Sequence, residues 1–212
     1  MSKRKGTFIA FEGGDGSGKD TVIAELRRQY ADRDDLVFTR EPGGTVIGEK
    51  VRELLLSKDT TGMSFKTELL LFLAARAQLL NEVIIPALQA DKTVVANRFG
   101  LSTIAYQIYG RGREEHLPFL QSASAFVVGK WAPDVYILLD VPPTVGLARV
   151  ASRAEETTRF DDERQAFHER VRNGYLKHVS NMNTQYVQIV DASEPLIQVQ
   201  KKVNSIFAQH YQ

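Results

Sequence analysis

The chain has 212 residues, 43% of them hydrophobic, enough for one sizeable core, and its length points to a single domain spanning positions 1–212. Its 27 basic and 26 acidic side chains nearly cancel, so a net charge of +1 gives no general attraction to nucleic acid or to an anionic membrane, and any anion site has to be local. The absence of cysteine excludes disulfides and thiolate metal sites and suits a cytoplasmic setting; no apolar run approaches the ~18 residues of a membrane helix.

The first apolar run, TFIAF (7–11), reads as a strand and leads into GGDGSGKD, Gly13 to Asp20. An amphipathic segment with Val22, Ile23, Leu26 and Tyr30 follows, so the loop sits in the strand, loop, helix context of a phosphate-binding loop. Gly13, Gly14, Gly16 and Gly18 let backbone N–H groups converge on phosphate oxygens around Ser17, the helix N-terminus adds partial positive charge, and Lys19 neutralises the β and γ phosphates. The pattern asks next for a hydroxyl on magnesium, and Asp20 stands there. A carboxylate either binds the metal more strongly than a hydroxyl or, without metal, repels the phosphates. Thr21 cannot replace it, because one residue along a helix turns the side chain by about 100°. As an ordinary glycine-rich turn, the stretch would use Asp20 only as a cap.

The second strand, LVFT (36–39), runs into REPGGT (40–45). Helical periodicity then starts near Lys66 and places Leu69, Leu70, Phe72, Leu73, Arg76, Leu79, Leu80 and Val83 along one segment, which Pro86 is expected to end or kink. The third strand, TVVA (93–96), precedes Asn97, Arg98 and Phe99. VYILLD (135–140) is the fourth, after which Pro142 and Pro143 suit a helix start. A charged stretch, 149–164, separates it from a helical segment with Phe167, Val171, Tyr175 and Val179, and YVQIV (186–190) is the fifth strand. Strands of nearly continuous apolar character alternating with helices imply a parallel sheet covered by helices, an α/β fold.

FEGGDGSGK, REPGGT, ELLLFLAARAQ (68–78), NRFGLSTIAYQIYGRG (97–112) and LDVPP (139–143), in that order, resemble the bacterial thymidylate kinase family along nearly the whole chain. The resemblance implies a P-loop doubly wound sheet of five parallel strands with a mobile lid at about 149–164. It also implies transfer of the γ-phosphoryl group from ATP to dTMP, with Mg2+ as cofactor, in a homodimer. By the same resemblance Gly13, Gly14, Asp15, Gly16, Ser17, Gly18, Lys19, Asp20 and Thr21 bind ATP together with Arg149, and DASEP (191–195) wraps the adenine. Asp15 would hold the acceptor's 3′-hydroxyl, while Arg40 and Arg98 clamp its phosphate in planar forks. Phe72 would stack on the base and Arg76, one helical turn later, would read it; Ser102, Tyr106 and Gln107 complete the pocket. Arg149, Arg153 and Arg159 fall in the lid, and the catalytic set is Lys19, Arg98, Arg153 and Arg159. Glu41 and Pro42 are assigned to shaping the turn that aims Arg40.

Three positions depart from the family pattern. Asn97 stands where an aspartate is usual, Leu101 where an acidic residue is common, and Thr158 where the lid often has aspartate. Asp20 and Asn97 together look like an exchange: one carboxylate is gained at the loop and one lost at the third strand. The expectation is that Asp20 ligates or water-bridges the metal, with Asn97 a weaker candidate. Two other readings stay open here: a nucleotide-binding homologue with impaired catalysis, and a kinase for another deoxynucleoside monophosphate such as dUMP.

Overall fold

The computed structural model describes residues 6–152 and 158–211. Strands β1 (Phe8–Glu12), β2 (Leu36–Arg40), β3 (Thr93–Asn97), β4 (Val135–Asp140) and β5 (Val187–Asp191) form a sheet in the order β2-β3-β1-β4-β5. Every pairing is parallel, with Phe8 opposite Val94 and Ile9 opposite Val135. Each strand lies within a residue of its apolar run; β1, β3 and β4 are largely buried, with little room for polar side chains, whereas the edge strands β2 and β5 are partly exposed.

The two faces separate by the alternation of side chains along each strand. Ile9 and Phe11 pack with Val22 and Leu26 of α1 (Lys19–Gln29) and, at the far end of the chain, with Val203 and Phe207. Phe8 and Ala10 point the other way, onto Leu79, Ile84 and Leu88. Those three residues belong to one continuous helical rod, which follows α2 (Val46–Leu56). It runs as α3 (Phe65–Leu79), a π-helical stretch (Leu80–Ile84) and α4 (Ile85–Gln89).

Two expectations change along this rod. Pro86 does not end it: the Ile85 N–H reaches back to the Leu80 carbonyl, so the turn ahead of the proline is already widened and relieves the clash of a regular helical turn. The rod, Phe65–Gln89, is also long and apolar enough to cross a membrane, which the run length had excluded. Glu68 and Arg76 interrupt the apolar run in sequence, and both are buried in ion pairs. Packing accounts for the apolarity, since Leu69 and Leu73 meet Ile108 and Leu120 while Leu79 to Leu88 cover the sheet.

After β3 the chain forms α5 (Gly100–Thr103), a π-helical stretch (Ile104–Gly110) and α6 (Leu117–Val128). Helix α7 (Pro143–Ala151) starts at the expected prolines, and α8 (Gln165–Val179) and α9 (Leu196–His210) complete the layers. Glu12, Arg40, Asn97 and Asp140 are the last residues of β1 to β4, so polar side chains collect in the crevice beyond the carboxyl ends, where open α/β sheets bind ligands.

Candidate active site

The phosphate loop is held by close backbone approach. At Gly16 φ is +71°, and a Cβ there would lie 2.0 Å from the Gly146 carbonyl oxygen, so α7 can rest on the loop only because both positions lack side chains. Helix α1 begins after Gly18 with no side-chain cap, which leaves its first-turn N–H groups without side-chain partners, the arrangement that receives an anion. Asp20 therefore does not act as the cap.

Lys19 is 4% exposed and donates to the Gly13 carbonyl at 2.9 Å, the Gly14 carbonyl at 2.9 Å and Ser17 Oγ at 3.0 Å. Burial, reinforced by the neighbouring Arg98 charge, lowers its pKa to about 7. A polyphosphate against Lys19 would raise that value again. Nucleotide binding is accordingly expected to take up protons above pH 7 and to lose this uptake by about pH 6, where free Lys19 is already charged. Calorimetric titration in buffers of different ionisation enthalpy reads it directly, and Lys19→Met should abolish it.

Two cavities flank the loop. The smaller, roughly 260 Å³, is lined by Gly16, Gly18, Thr21, Arg149, Ala192 and Glu194. Arg149 donates to the Ala192 carbonyl at 2.9 Å and to Gly16 at 3.3 Å, bridging the loop and the segment after β5 that was expected to wrap adenine. The larger, roughly 460 Å³, brings together Asp15, Lys19, Asp20, Arg40, Phe72, Arg76, Asn97, Arg98, Ser102, Tyr106 and Gln107 from six secondary-structure elements and two loops. All eight side chains expected to bind the acceptor thus face one space.

Arg98 organises its centre. Its φ of +72° is a strained conformation for a residue with a side chain, and the guanidinium is over-determined by its partners. It reaches Asp15 Oδ1 at 2.7 Å, the Gly13 carbonyl at 2.8 Å, Tyr106 Oη at 3.1 Å and Ser102 Oγ at 3.2 Å. Tyr106 also donates to Asp15 Oδ2 at 2.8 Å. Burial alone would push the Asp15 carboxyl up, but Arg98, Lys19 and the Tyr106 hydroxyl outweigh it and hold the group below the usual carboxylate range. Asp15 is therefore an ionised acceptor on the wall of the larger cavity.

Arg40 is half exposed and pairs with Glu49 at 2.8 Å. Asn97 donates from Nδ2 to Asp20 Oδ1 at 2.7 Å, so the two exchanged positions touch.

Sequence reasoning missed several members. Glu12, fully buried beneath the loop, accepts from the Phe99 N–H at 2.9 Å and Ser102 Oγ at 2.5 Å; burial pushes its carboxyl up despite these bonds and Arg98. The signal was a charged residue closing an otherwise apolar strand. Arg52 adds a third arginine beside Arg40 and Arg98, held by the Pro42 carbonyl at 2.9 Å. Phe160 faces Phe72 across the large cavity, with ring centroids 6.3 Å apart. Glu41, assigned only to a turn, is buried in an ion pair with Arg76.

Arg159, expected in the lid, sits against α2 and α3. Instead of facing the phosphate loop it is 9% exposed, bound to the Leu55 carbonyl at 2.5 Å and paired with Glu68 at 2.6 Å. Glu68 is itself 2% exposed on α3 and needs a compensating cation, which Arg159 and Arg111 supply together. Arg153 lies outside the described residues. Of the departures from the family pattern, Leu101 is buried core, and Thr158 bonds Asp161 through both its N–H and hydroxyl at 2.8 Å.

A family model described as thymidylate kinase matches residues 11–203. The thymidylate kinase of Pseudomonas entomophila is 44% identical over 206 residues, covering 95% of this chain and 94% of that protein. Those of Lactobacillus delbrueckii subsp. bulgaricus and Latilactobacillus sakei are 43% and 41% identical, covering 92% and 96% of this chain and 92% and 95% of their own lengths. With a phosphate loop set between a smaller cavity holding Arg149 and a larger, arginine-rich one, and with such matches along almost its full length, the chain belongs to the thymidylate kinase family.

Proposed function

We propose that this protein transfers the γ-phosphoryl group of ATP to dTMP, giving dTDP and ADP on the route to dTTP. The observation that carries the reading is a phosphate loop bordered by two cavities of complementary chemistry, with Asp15 and Lys19 lining the arginine-rich one. One has a phosphate loop and Arg149; the other has Arg40, Arg52 and Arg98 along with Phe72 and Arg76.

In this reading ATP lies over α1 with its γ-phosphate at Lys19, and Arg40, Arg52 and Arg98 orient the acceptor phosphate. An oxygen of that phosphate attacks the γ-phosphorus as the bond to the β,γ-bridging oxygen breaks, and ADP leaves. The chain contributes position and charge rather than a covalent intermediate. Asp15, held by Arg98 and Tyr106, is aimed to accept from the acceptor sugar. Phe72 and Phe160 offer ring faces to the base.

The residues fit magnesium. Among the described residues no group of three or more carboxylates, histidines or cysteines forms a closed cage, and a Mg2+ bound mainly by phosphates and water needs only one or two protein oxygens. Asp20 offers Oδ2, which accepts no hydrogen bond from the described residues, while Asn97 fixes Oδ1. When bound, the metal supplies charge neutralisation at the donor phosphates. Asp20 is its proposed ligand, direct or through water, with Asn97 orienting that carboxylate.

A homodimer and a cytoplasmic setting complete the proposal. Leu54 on α2, Leu70 on α3 and Phe126 on α6 are exposed, Phe126 at 90%, and α3 packs against both other helices, a face suited to a second copy.

ADP production from ATP should depend on both dTMP and magnesium, and dUMP should be the poorer acceptor. ATP hydrolysis without need of dTMP, or dTMP binding without turnover, would refute the assignment. Lys19, Arg98 and Arg40 brought to one space favour catalysis over a binding-only role.

A further inference from the structure

Arg76 has five N–H groups, and the structure accounts for three. Nε donates to both Glu41 oxygens at 2.9 and 3.0 Å, and Nη2 donates to Glu41 Oε2 at 2.5 Å and to Thr103 Oγ1 at 2.8 Å. The guanidinium face lies 4.8 Å over the Phe99 ring. Arg76 is 1% exposed and Glu41 6%, so neither can turn to solvent. Nη1 alone is buried with no partner, and Arg76 lines the large cavity beside Phe72.

Two consequences follow from that inventory. The pair is electrically neutral as a unit, so the base end of the cavity has a donor but no net positive charge, unlike the end formed by Arg40, Arg52 and Arg98. The guanidinium also cannot swivel, because Glu41, Thr103 and Phe99 fix its plane and edge.

We infer that Glu41 is a positioning residue for acceptor specificity: it leaves Arg76 with Nη1 alone to donate, which favours a neutral keto-bearing base, and it keeps an anion from occupying the base end. The inference rests on the reading of the large cavity as the acceptor site. A base with a keto oxygen facing Nη1 satisfies a buried orphan donor. A base with an amino group there leaves both donors unpaired, which costs discrimination of the order of tenfold or more. With Glu41 removed, Arg76 becomes an uncompensated buried cation and the same end attracts phosphate.

Binding by calorimetry tests this without requiring turnover, using dTMP, dCMP and pyrophosphate as probes. Glu41→Gln is expected to reduce the preference for dTMP over dCMP at least tenfold and to create a pyrophosphate site that dTMP displaces. In turnover, the KM for dTMP should rise while kcat changes less. Thr103→Val should lower the preference without creating the anion site. In the double variant Glu41→Gln/Arg76→Met the preference should be lost and the anion site should not appear. A folded Glu41→Gln protein with unchanged preference and no pyrophosphate binding would overturn the inference. So would unchanged preference in Thr103→Val should Glu41→Gln fail to fold. Unsubstituted protein that prefers dTMP in binding yet fails to phosphorylate it would overturn the proposed reaction and leave the role of Glu41 standing.

Discussion

Arg98→Met should lower folding stability by about 3–5 kcal/mol at neutral pH, the range for removing one partner from a buried ionic cluster. Arg98 is 20% and Asp15 17% exposed at the side chain, while Glu12 is wholly buried, so two carboxylates lose one of their two nearby cations, Lys19 being the other, in a largely buried cluster. For a chain of this size that loss is a shift in melting temperature of roughly 6–20 °C. The sign of its pH dependence follows from Glu12. Its carboxyl is already raised from 4.5 by burial, and losing Arg98 raises it further. A folded-state value above the unfolded one gives stability that is complete below 4.5 and declines as pH rises through the folded value. The gap between variant and parent should therefore widen from acid to neutral pH. A gap constant across that window would mean that Glu12 is not the group left uncompensated. Activity should fall on the order of 100–1,000-fold, comparable to removing a preorganised charge donor from a reaction site. Arg98→Lys separates the effects: it restores charge near Glu12, recovering much of the stability, but lacks the fork that holds Asp15, Tyr106 and a phosphate together.

Much of this site could be read along the chain because its signals are local. Gly13 to Lys19 form a contiguous motif whose glycines have individual geometric reasons, and the five strands are apolar runs of the length a buried parallel sheet requires. The residues expected to bind the acceptor entered through motifs that kept their order, and all of them line the large cavity. What stayed hidden is pairing across long separations. Glu41 and Arg76 lie 35 positions apart, and Glu12 and Ser102 lie 90 apart, so no window of sequence joins them. Arg159 shows the converse difficulty. Its position in a basic stretch says lid, but a buried carboxylate on α3 claims it, and nothing near Arg159 in sequence announces Glu68. The proline in the Phe65–Gln89 rod does not end it because a widened turn immediately ahead accommodates the ring, a solution set by backbone hydrogen bonding rather than residue type.

Asp20→Thr and Asn97→Asp should each weaken magnesium-dependent nucleotide binding, and together they should restore much of it. Asp20 and Asn97 are 2.7 Å apart, with the amide N–H on one carboxylate oxygen and the other oxygen left for a cation. Asp20→Thr alone leaves a hydroxyl next to an amide, with no carboxylate between loop and strand, and should weaken Mg·ADP relative to ADP on the order of 100-fold, the upper range for disturbing a metal's supporting shell. Asn97→Asp alone sets two carboxylates at hydrogen-bonding distance, where like charges repel unless metal or a proton intervenes. This variant should bind ADP more weakly than the parent with or without magnesium, because bound metal has first to offset that repulsion. The double variant has one hydroxyl and one carboxylate, merely exchanged between the two positions, and should return to within about tenfold of the parent, a strongly non-additive cycle. Calorimetry of ADP with and without Mg2+ measures all four proteins without any turnover, and Mn2+ paramagnetic resonance reports whether the cation is bound in each. Additive losses would mean that the contact between Asp20 and Asn97 is incidental and that the metal is held by phosphates alone. A coupled recovery would mean that the phosphate loop has moved its metal-facing oxygen from one strand end to the adjoining helix while preserving the charge of the site.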